Sequence, residues 1–176
     1  MVYRMKVLVT GAAGFIGYHT CLALKKSGHE VVGIDSFNNY YDVNLKLERK
    51  RQLKRSLIDV HTIKLTGTMY SAYQSRLFEL LTDVDLVVHL AAYAGVRYSM
   101  DHPAVYIDNN ISGTQTLIDL SQDAGVEKIV YASTSSVMAG QELPWKETDP
   151  SPASLNPYAA SKKMNETQFT TSKIPT

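Results

Sequence analysis

The chain has 176 residues, of which 44% are hydrophobic and 20% charged, the profile of a globular protein of about one domain. A formal net charge of +1 gives no overall field that would attract nucleic acid or an anionic membrane, and no apolar run reaches the roughly 18 residues of a membrane span. No signal-peptide-like segment opens the sequence, and the single cysteine, Cys21, cannot form an internal disulfide. We therefore expect a cytoplasmic protein.

Strand-like and helix-like segments alternate along the chain. The predicted strands are Lys6–Thr10, Glu30–Asp35, Val60–Leu65, Val84–Ala91 and Lys128–Ala132, and the predicted helices are Gly14–Ser27, Tyr41–Arg55, Tyr70–Leu81, Pro103–Ala124 and Ser154–Thr171. This order predicts an α/β fold, a doubly wound (Rossmann) parallel sheet with helices on both faces, as one domain over residues 1–176. Residues 170–176 are typical of a loop leading into another strand, so we expect the chain to be truncated before a substrate domain.

A glycine-rich turn, with the spacing G-x-x-G-x-x-G, joins the first strand to the first helix. We predict that Gly11 permits the tight turn, that Gly14 lets the backbone approach a pyrophosphate, and that Gly17 lets the helix pack closely. Exposed N–H groups and the helix dipole then favour phosphates. The alternative is an ordinary glycine-rich loop, since such a triplet alone is weak evidence.

Asp35 ends the second predicted strand, 24 residues after Gly11. A carboxylate there can accept hydrogen bonds from the ribose hydroxyls of adenosine, and it would repel a 2′-phosphate. The spacing therefore predicts NAD rather than NADP; the alternative is a surface aspartate. The basic run from Lys46 to Arg55 predicts a solvated helix face, because no aromatic residues are interleaved with the charges.

Tyr158 and Lys162 lie four residues apart in a helical pattern, so they share one face. A nearby ammonium would stabilise the tyrosine phenolate, which could then take a proton from a sugar hydroxyl. Ser133 to Ser136 place four hydroxyls at the carboxyl end of the fifth strand, where such sheets bind ligands. A surface Tyr/Lys pair and a Ser/Thr turn are the alternatives for these two features.

These motifs together resemble the extended short-chain dehydrogenase/reductase family, and within it the UDP-glucuronate 4-epimerase group of NAD-dependent nucleotide-sugar epimerases. The similar stretches cover nearly the whole chain: 10–17, 35–46, 89–99, 109–114 and 158–162. The resemblance implies transient oxidation of the sugar at C4 by bound NAD. It also implies a homodimer through a four-helix bundle of the helices predicted at Pro103–Ala124 and Ser154–Thr171.

The same resemblance implies roles for individual residues. Thr134, Tyr158 and Lys162 would be catalytic, and Arg97, Thr134, Ser135 and Ser136 would face the UDP-sugar. The cofactor would be held by Gly11, Gly14, Phe15, Ile16, Gly17, Asp35, Asn38, Ala91, Ala92, Asn110, Tyr158 and Lys162. No metal site is expected. The chain departs from the family pattern at Thr68, where an aspartate is usual, and at Met138, where a tyrosine is usual.

Two other functions remain open at this point. The same residues would serve a 4-epimerase of UDP-glucose or of a UDP-N-acetylhexosamine, whereas a 4,6-dehydratase would need an acid pair where Ser135 and Ser136 stand. A short NAD-binding module without catalysis would explain a chain of this length. We expect the 176-residue piece alone to be inactive or nearly so.

Overall fold

A computed structural model describes residues 4–68, 71–149 and 153–175. The strands are β1 Lys6–Thr10, β2 Glu30–Asp35, β3 Asp59–Thr62, β4 Leu86–His89 and β5 Lys128–Tyr131. The α-helices are α1 Phe15–Lys26, α2 Val43–Arg55, α3 Ser71–Leu81, α4 Val96–Asp101, α5 Pro103–Tyr106, α6 Gly113–Asp123 and α7 Pro157–Thr171. A π-helical turn at Ile107–Ser112 joins α5 to α6, and a 3-10 turn occupies Ser135–Met138.

The five strands form one parallel sheet in the order β3-β2-β1-β4-β5. Val9 of β1 pairs with Gly33 of β2 on one side and Val88 of β4 on the other, so β1 lies at the centre. The order reverses between β1 and β4, which is where doubly wound sheets bind ligands. The predicted doubly wound fold is therefore confirmed.

Both faces of the sheet are covered. Val7 and Val9 point into a core that includes Leu53 of α2, whereas Leu8 points into the opposite core, with Leu117 of α6. Alternate residues of a strand face opposite sides of the sheet. Because helices cover both sides, all of these side chains are fully buried. The continuous apolar run of β1 follows from this double burial.

Three predicted strands, β3, β4 and β5, differ from the structure at their ends. β5 ends at Tyr131 rather than Ala132, and β4 begins at Leu86 rather than Val84. β4 ends at His89 rather than Ala91 because the backbone N–H groups of Leu90 and Ala91 donate to the hydroxyl of Thr10, at 3.1 and 3.0 Å, instead of to a neighbouring strand. β3 begins at Asp59 and ends at Thr62, so the predicted residues up to Leu65 lie in the following loop.

The helices also differ from the prediction: α1 spans Phe15–Lys26 rather than Gly14–Ser27, and α2 begins at Val43 rather than Tyr41. The segment predicted as one helix at Pro103–Ala124 contains the π-helical turn at Ile107–Ser112. The short helix α4 was not predicted, because its six residues carry no long apolar repeat. Helix α7 begins at Pro157 rather than Ser154, where the side chain of Asn156 accepts a hydrogen bond from the N–H of Ala159 at 2.8 Å. Tyr70, the predicted start of α3, lies outside the described residues.

Candidate functional site

A cavity opens at the carboxyl ends of β1, β2 and β4. Six of the residues predicted to hold a cofactor line it: Gly11, Gly14, Asp35, Asn38, Ala91 and Ala92. They come from the loops after three different strands, which the parallel sheet brings to one edge. The cavity therefore lies where a ligand of a doubly wound fold is expected.

The glycine turn fits closely against the loop after β4. Gly11 has a φ of +69°, and a Cβ at this position would lie 3.0 Å from the backbone nitrogen of Ala91. At Gly17, a Cβ would overlap the carbonyl oxygen of Gly11. The sequence predicted a close approach between the first helix and the sheet at Gly17. In the structure, the nearest partner of this residue is the glycine turn itself.

The amino end of α1 faces the same turn. Its N-cap, Gly14, has no side chain to bond the first-turn N–H groups, and the first turn carries no acidic residue. Phe15 and Ile16 begin the helix and are 68% and 65% exposed. The backbone N–H groups of a first helical turn have no acceptor within the helix. This end of α1 can therefore receive a diphosphate, whose charge the helix dipole favours.

The carboxylate of Asp35 is buried at the edge of the cavity and already makes three contacts. One oxygen, Oδ2, accepts from the N–H of Ala13 in the glycine turn at 3.1 Å. The other, Oδ1, accepts from the N–H of Phe37 at 2.9 Å and lies 3.7 Å from the Nζ of Lys46. An ionised carboxylate offers about four lone-pair positions, so Asp35 can still accept from a ligand hydroxyl.

Lys46 corrects the prediction that the basic run forms a solvated face. Its side chain is 6% exposed, and its Nζ donates to the side-chain oxygen of Asn38 at 2.8 Å and lies 4.8 Å from the ring centre of Tyr41. Arg49, one helical turn later, donates to the carbonyl of Ala13 at 3.3 Å. Local charge density could not reveal these partners, because they lie in the turns before α2.

A buried hydrogen-bond relay fixes the turn after β4. The hydroxyl of Thr10 accepts from both Leu90 and Ala91, so its single hydrogen must go to the Nδ1 of His89, 2.8 Å away. His89 is then the neutral tautomer with its proton on Nε2, which donates to the hydroxyl of Thr114 at 2.9 Å. Burial first, and the Lys162 ammonium second, lower the pKa of His89 to about 3. No local pattern of residues indicates this relay.

Asn110 lies in the π-helical turn and is fully bonded. Its side chain accepts from the N–H of Tyr93 at 2.8 Å and donates to the carbonyl of Tyr93 at 3.0 Å and to the hydroxyl of Ser161 at 3.0 Å. Its carbonyl accepts from the side chain of Asn165 at 2.7 Å. Asn110 therefore ties the loop beside the cavity to α7, while Asn109, its neighbour, lines the cavity.

The predicted catalytic residues lie at the carboxyl end of β5 and at the start of α7. Thr134 is the N-cap of the 3-10 turn, which contains Ser135 and Ser136 and packs against α7. The Nζ of Lys162 donates to the carbonyl of Ala132 at 2.8 Å, and burial lowers its pKa to about 8. Tyr158 is the second residue of α7, and its ring centre lies 6.1 Å from that of Tyr106.

The remaining predicted positions lie outside the lining of the cavity. Arg97 is exposed at the start of α4, outside the lining of the cavity, and Thr68 is exposed in the loop after β3. Met138 ends the 3-10 turn. Within the described ranges, no helix is both long and apolar enough to cross a bilayer, and no cluster of three or more His, Cys, Asp or Glu side chains could hold a metal ion.

Comparisons with known sequences and structures agree with this geometry. The chain is 44% identical, over 165 residues, to UDP-glucuronate 4-epimerase of Thermodesulfobacterium geofontis (strain OPF15), a match that covers 90% of this chain and 48% of that protein. It is 44% identical to UDP-glucuronate 4-epimerase 3 of Arabidopsis thaliana, with coverage of 91% and 37%. The chain thus spans half or less of the length of these curated relatives.

The fold is similar to that of solved enzymes. UDP-glucuronic acid 4-epimerase from Bacillus cereus, solved with UDP-glucuronic acid and NAD, superposes with a TM-score of 0.81 at 37% identity, covering 94% of this chain and 51% of that one. The model of the NAD dependent epimerase/dehydratase family matches residues 7–173. The chain belongs to the NAD dependent epimerase/dehydratase family.

Proposed function

We propose that this chain is the NAD-binding domain of a nucleotide-sugar 4-epimerase that interconverts UDP-glucuronate and UDP-galacturonate. The proposal depends on one observation: the residues proposed to bind the cofactor and those proposed to act on the sugar lie at the same edge of the sheet. The glycine turn and Asp35 line a cavity after β1 and β2, and Thr134 and Lys162 lie after β5 and on α7. Named UDP-glucuronate 4-epimerases at 44% identity support this choice of sugar.

NAD is the proposed cofactor, and the residues present fit it. The amino end of α1, with Gly14 as a cap without a side chain, would receive the pyrophosphate. Asp35 would accept from the adenosine ribose, and Ala91, Ala92 and Asn38 would line the pocket. When bound, NAD supplies a reversible hydride acceptor for C4 of the sugar, which no amino-acid side chain can provide.

The chain's own residues would handle the proton and the orientation of the sugar. Tyr158 would take the proton of the C4 hydroxyl and return it to the opposite epimer. The pKa of Lys162 is about 8, so this side chain is mainly an ammonium at neutral pH and would stabilise a phenolate on its own helix. Thr134 would bond the reacting oxygen, and Ser135, Ser136 and Arg97 would face the sugar and its carboxylate.

The test is a panel of UDP-glucuronate, UDP-glucose and UDP-N-acetylglucosamine, given with NAD to the complete gene product and resolved by chromatography. We expect UDP-galacturonate to form. Tyr158→Phe should lower the rate by about 10²-fold to 10⁴-fold, the usual contribution of a positioned acid–base group, while NAD still binds. The matched control is Tyr18→Phe, which removes a hydroxyl that bonds Gln52 on α2.

Each outcome of the panel separates the alternatives. Turnover of UDP-glucose or of the N-acetyl sugar instead would move the assignment to that substrate. NAD binding without any turnover would favour a binding module. Near-normal turnover by Tyr158→Phe would refute the assignment of the base.

We also propose a cytoplasmic homodimer built from the helices at Pro103–Asp123 and α7. Its support is the exposure of apolar side chains on these helices, 57% for Ile107 and 46% for Met164. Light scattering of the wild type and of Ile107→Glu should show a dimer and a monomer, respectively; a monomeric wild type would contradict the proposal. The buried Cys21, whose pKa burial raises to about 12, is inert and compatible with a reducing compartment.

A further inference from the structure

At the end of the cavity where Asp35 lies, its negative charge is offset by nearby positive charges. Asp35 and Lys46 both line the cavity, and their charged atoms lie 3.7 Å apart with side chains 5% and 6% exposed. Arg49 adds a further cation nearby, held by the carbonyl of Ala13 and the hydroxyl of Tyr41 at 3.3 and 3.2 Å. A carboxylate with such neighbours does not present a net negative charge to a ligand.

This balance of charge affects how strongly the site can discriminate against a dinucleotide that carries a 2′-phosphate. An unpaired Asp35 would disfavour a 2′-phosphate by repulsion between like charges, which is strong in a partly buried site. With Lys46 beside it, a phosphate that approaches the carboxylate also approaches an ammonium. The repulsion of the phosphate by Asp35 and its attraction by Lys46 then largely cancel. Asp35 can still accept hydrogen bonds from neutral hydroxyls.

We propose that Lys46 is a selectivity-determining residue of this site, which neutralises Asp35 and thereby weakens the discrimination against dinucleotides that carry a 2′-phosphate. The inference rests on the proposed binding of NAD. It assigns to Lys46 an effect on the ratio of two affinities, not on the fold alone.

Three contacts hold the ammonium in place. Its Nζ donates to Asn38 at 2.8 Å, lies beside Asp35, and sits over the ring of Tyr41 at 4.8 Å from its centre. Lys54 offers a comparison on the same helix: it is 71% exposed and pairs with Asp59 at 2.5 Å, away from the cavity lining. Removing either lysine changes the net charge of the chain equally, so the pair separates a local effect from an overall one.

The experiment is calorimetric titration of the complete gene product with NAD⁺ and with NADP⁺ at about pH 8. The quantity compared is the ratio of the two dissociation constants. We expect Lys46→Met to raise the NADP⁺/NAD⁺ ratio about tenfold or more, since one nearby charge is lost. We expect Lys46→Arg to stay within about threefold of the wild type, and Asp35→Asn to lower the ratio about tenfold.

The controls separate the possible failures. Lys54→Met should leave the ratio unchanged; an equal rise there would overturn the proposal, because the effect would be that of net charge. A ratio that stays within twofold of the wild type in a folded Lys46→Met variant, checked by circular dichroism, would also overturn it. If Lys46→Met does not fold, Lys46→Gln removes the same charge with a polar side chain, and the same rise of the ratio, to about ten times the wild-type value, is expected of it. Wild type that binds neither dinucleotide would instead refute the proposed function.

Discussion

The buried relay through His89 makes the free energy of unfolding depend on pH. The folded chain holds this imidazole neutral, with a pKa of about 3, whereas an unfolded chain protonates it below its ordinary value of 6.5. Above about pH 7 neither state binds the proton, and the stability is complete. As the pH falls below 6.5, the unfolded state gains a proton that the folded state cannot accept, so stability is lost until the pH reaches about 3.

The expected size follows from the two pKa values. Between about pH 7.5 and about pH 5, His89 alone should remove about 2 kcal/mol from the free energy of unfolding, at about 1.4 kcal/mol for each pH unit below 6.5. The relay's geometry gives the reason. Protonation would place a hydrogen on Nδ1, facing the hydroxyl of Thr10, whose lone pairs already accept from two backbone N–H groups.

Urea unfolding at the two pH values measures this loss. The variant His89→Gln should be less stable than the wild type at about pH 7.5, because it disturbs a buried hydrogen-bond network, but it should lose about 2 kcal/mol less on acidification. The exposed His102 provides the control, and His102→Asn should keep the wild-type pH dependence. An equal acid loss in the wild type and His89→Gln would refute the tautomer assigned to His89.

Two further predictions concern the glycine turn and the lysine of α7. Gly17→Ala should lower the free energy of unfolding by about 1–2 kcal/mol, since overlap of the new Cβ with the Gly11 carbonyl outweighs the gain of about 1 kcal/mol for alanine in a helix; a stabilised variant would contradict the close packing. Lys162 should titrate near pH 8 in an NMR experiment on labelled lysines, in which the Lys162→Met variant assigns its signal. The free energy of unfolding should also rise between about pH 8 and 10.5, because only the unfolded chain still holds this proton there. A midpoint near pH 10 would show that the ammonium is not buried.

Much of the fold follows from local patterns. Runs such as Lys6–Thr10 are apolar at three of their four buried positions, and their alternation with helices leaves few topologies for a parallel sheet. The carboxyl end of β4 was not predicted correctly because Thr10, which accepts the hydrogen bond of the Leu90 N–H, is 80 residues away in sequence. The π-helical turn escaped for a similar reason: Asn165 of α7 bonds the carbonyl of Asn110.

The candidate site was predictable where a residue acts through its backbone or its place at a strand end. Gly11 and Asp35 line the cavity, as the spacing indicates. The burial of Lys46 was not predicted because this residue opens a basic run, whereas its partners in space are Asp35 and Asn38. The neutralisation of Asp35 by Lys46 could not be predicted from the sequence, because the two residues come together only in the folded structure.

Tyr40 joins two walls of the cavity. Its hydroxyl donates to the carbonyl of Ala94, so the loop after β2 is fastened to the loop after β4, and a Cβ at Gly95 would lie 2.7 Å from the same hydroxyl. Under the proposed function, a dinucleotide in this cavity would lie between two loops that are held together, which would slow its release. Slow release suits an isomerase, because its cofactor is restored in every cycle and does not need to be exchanged.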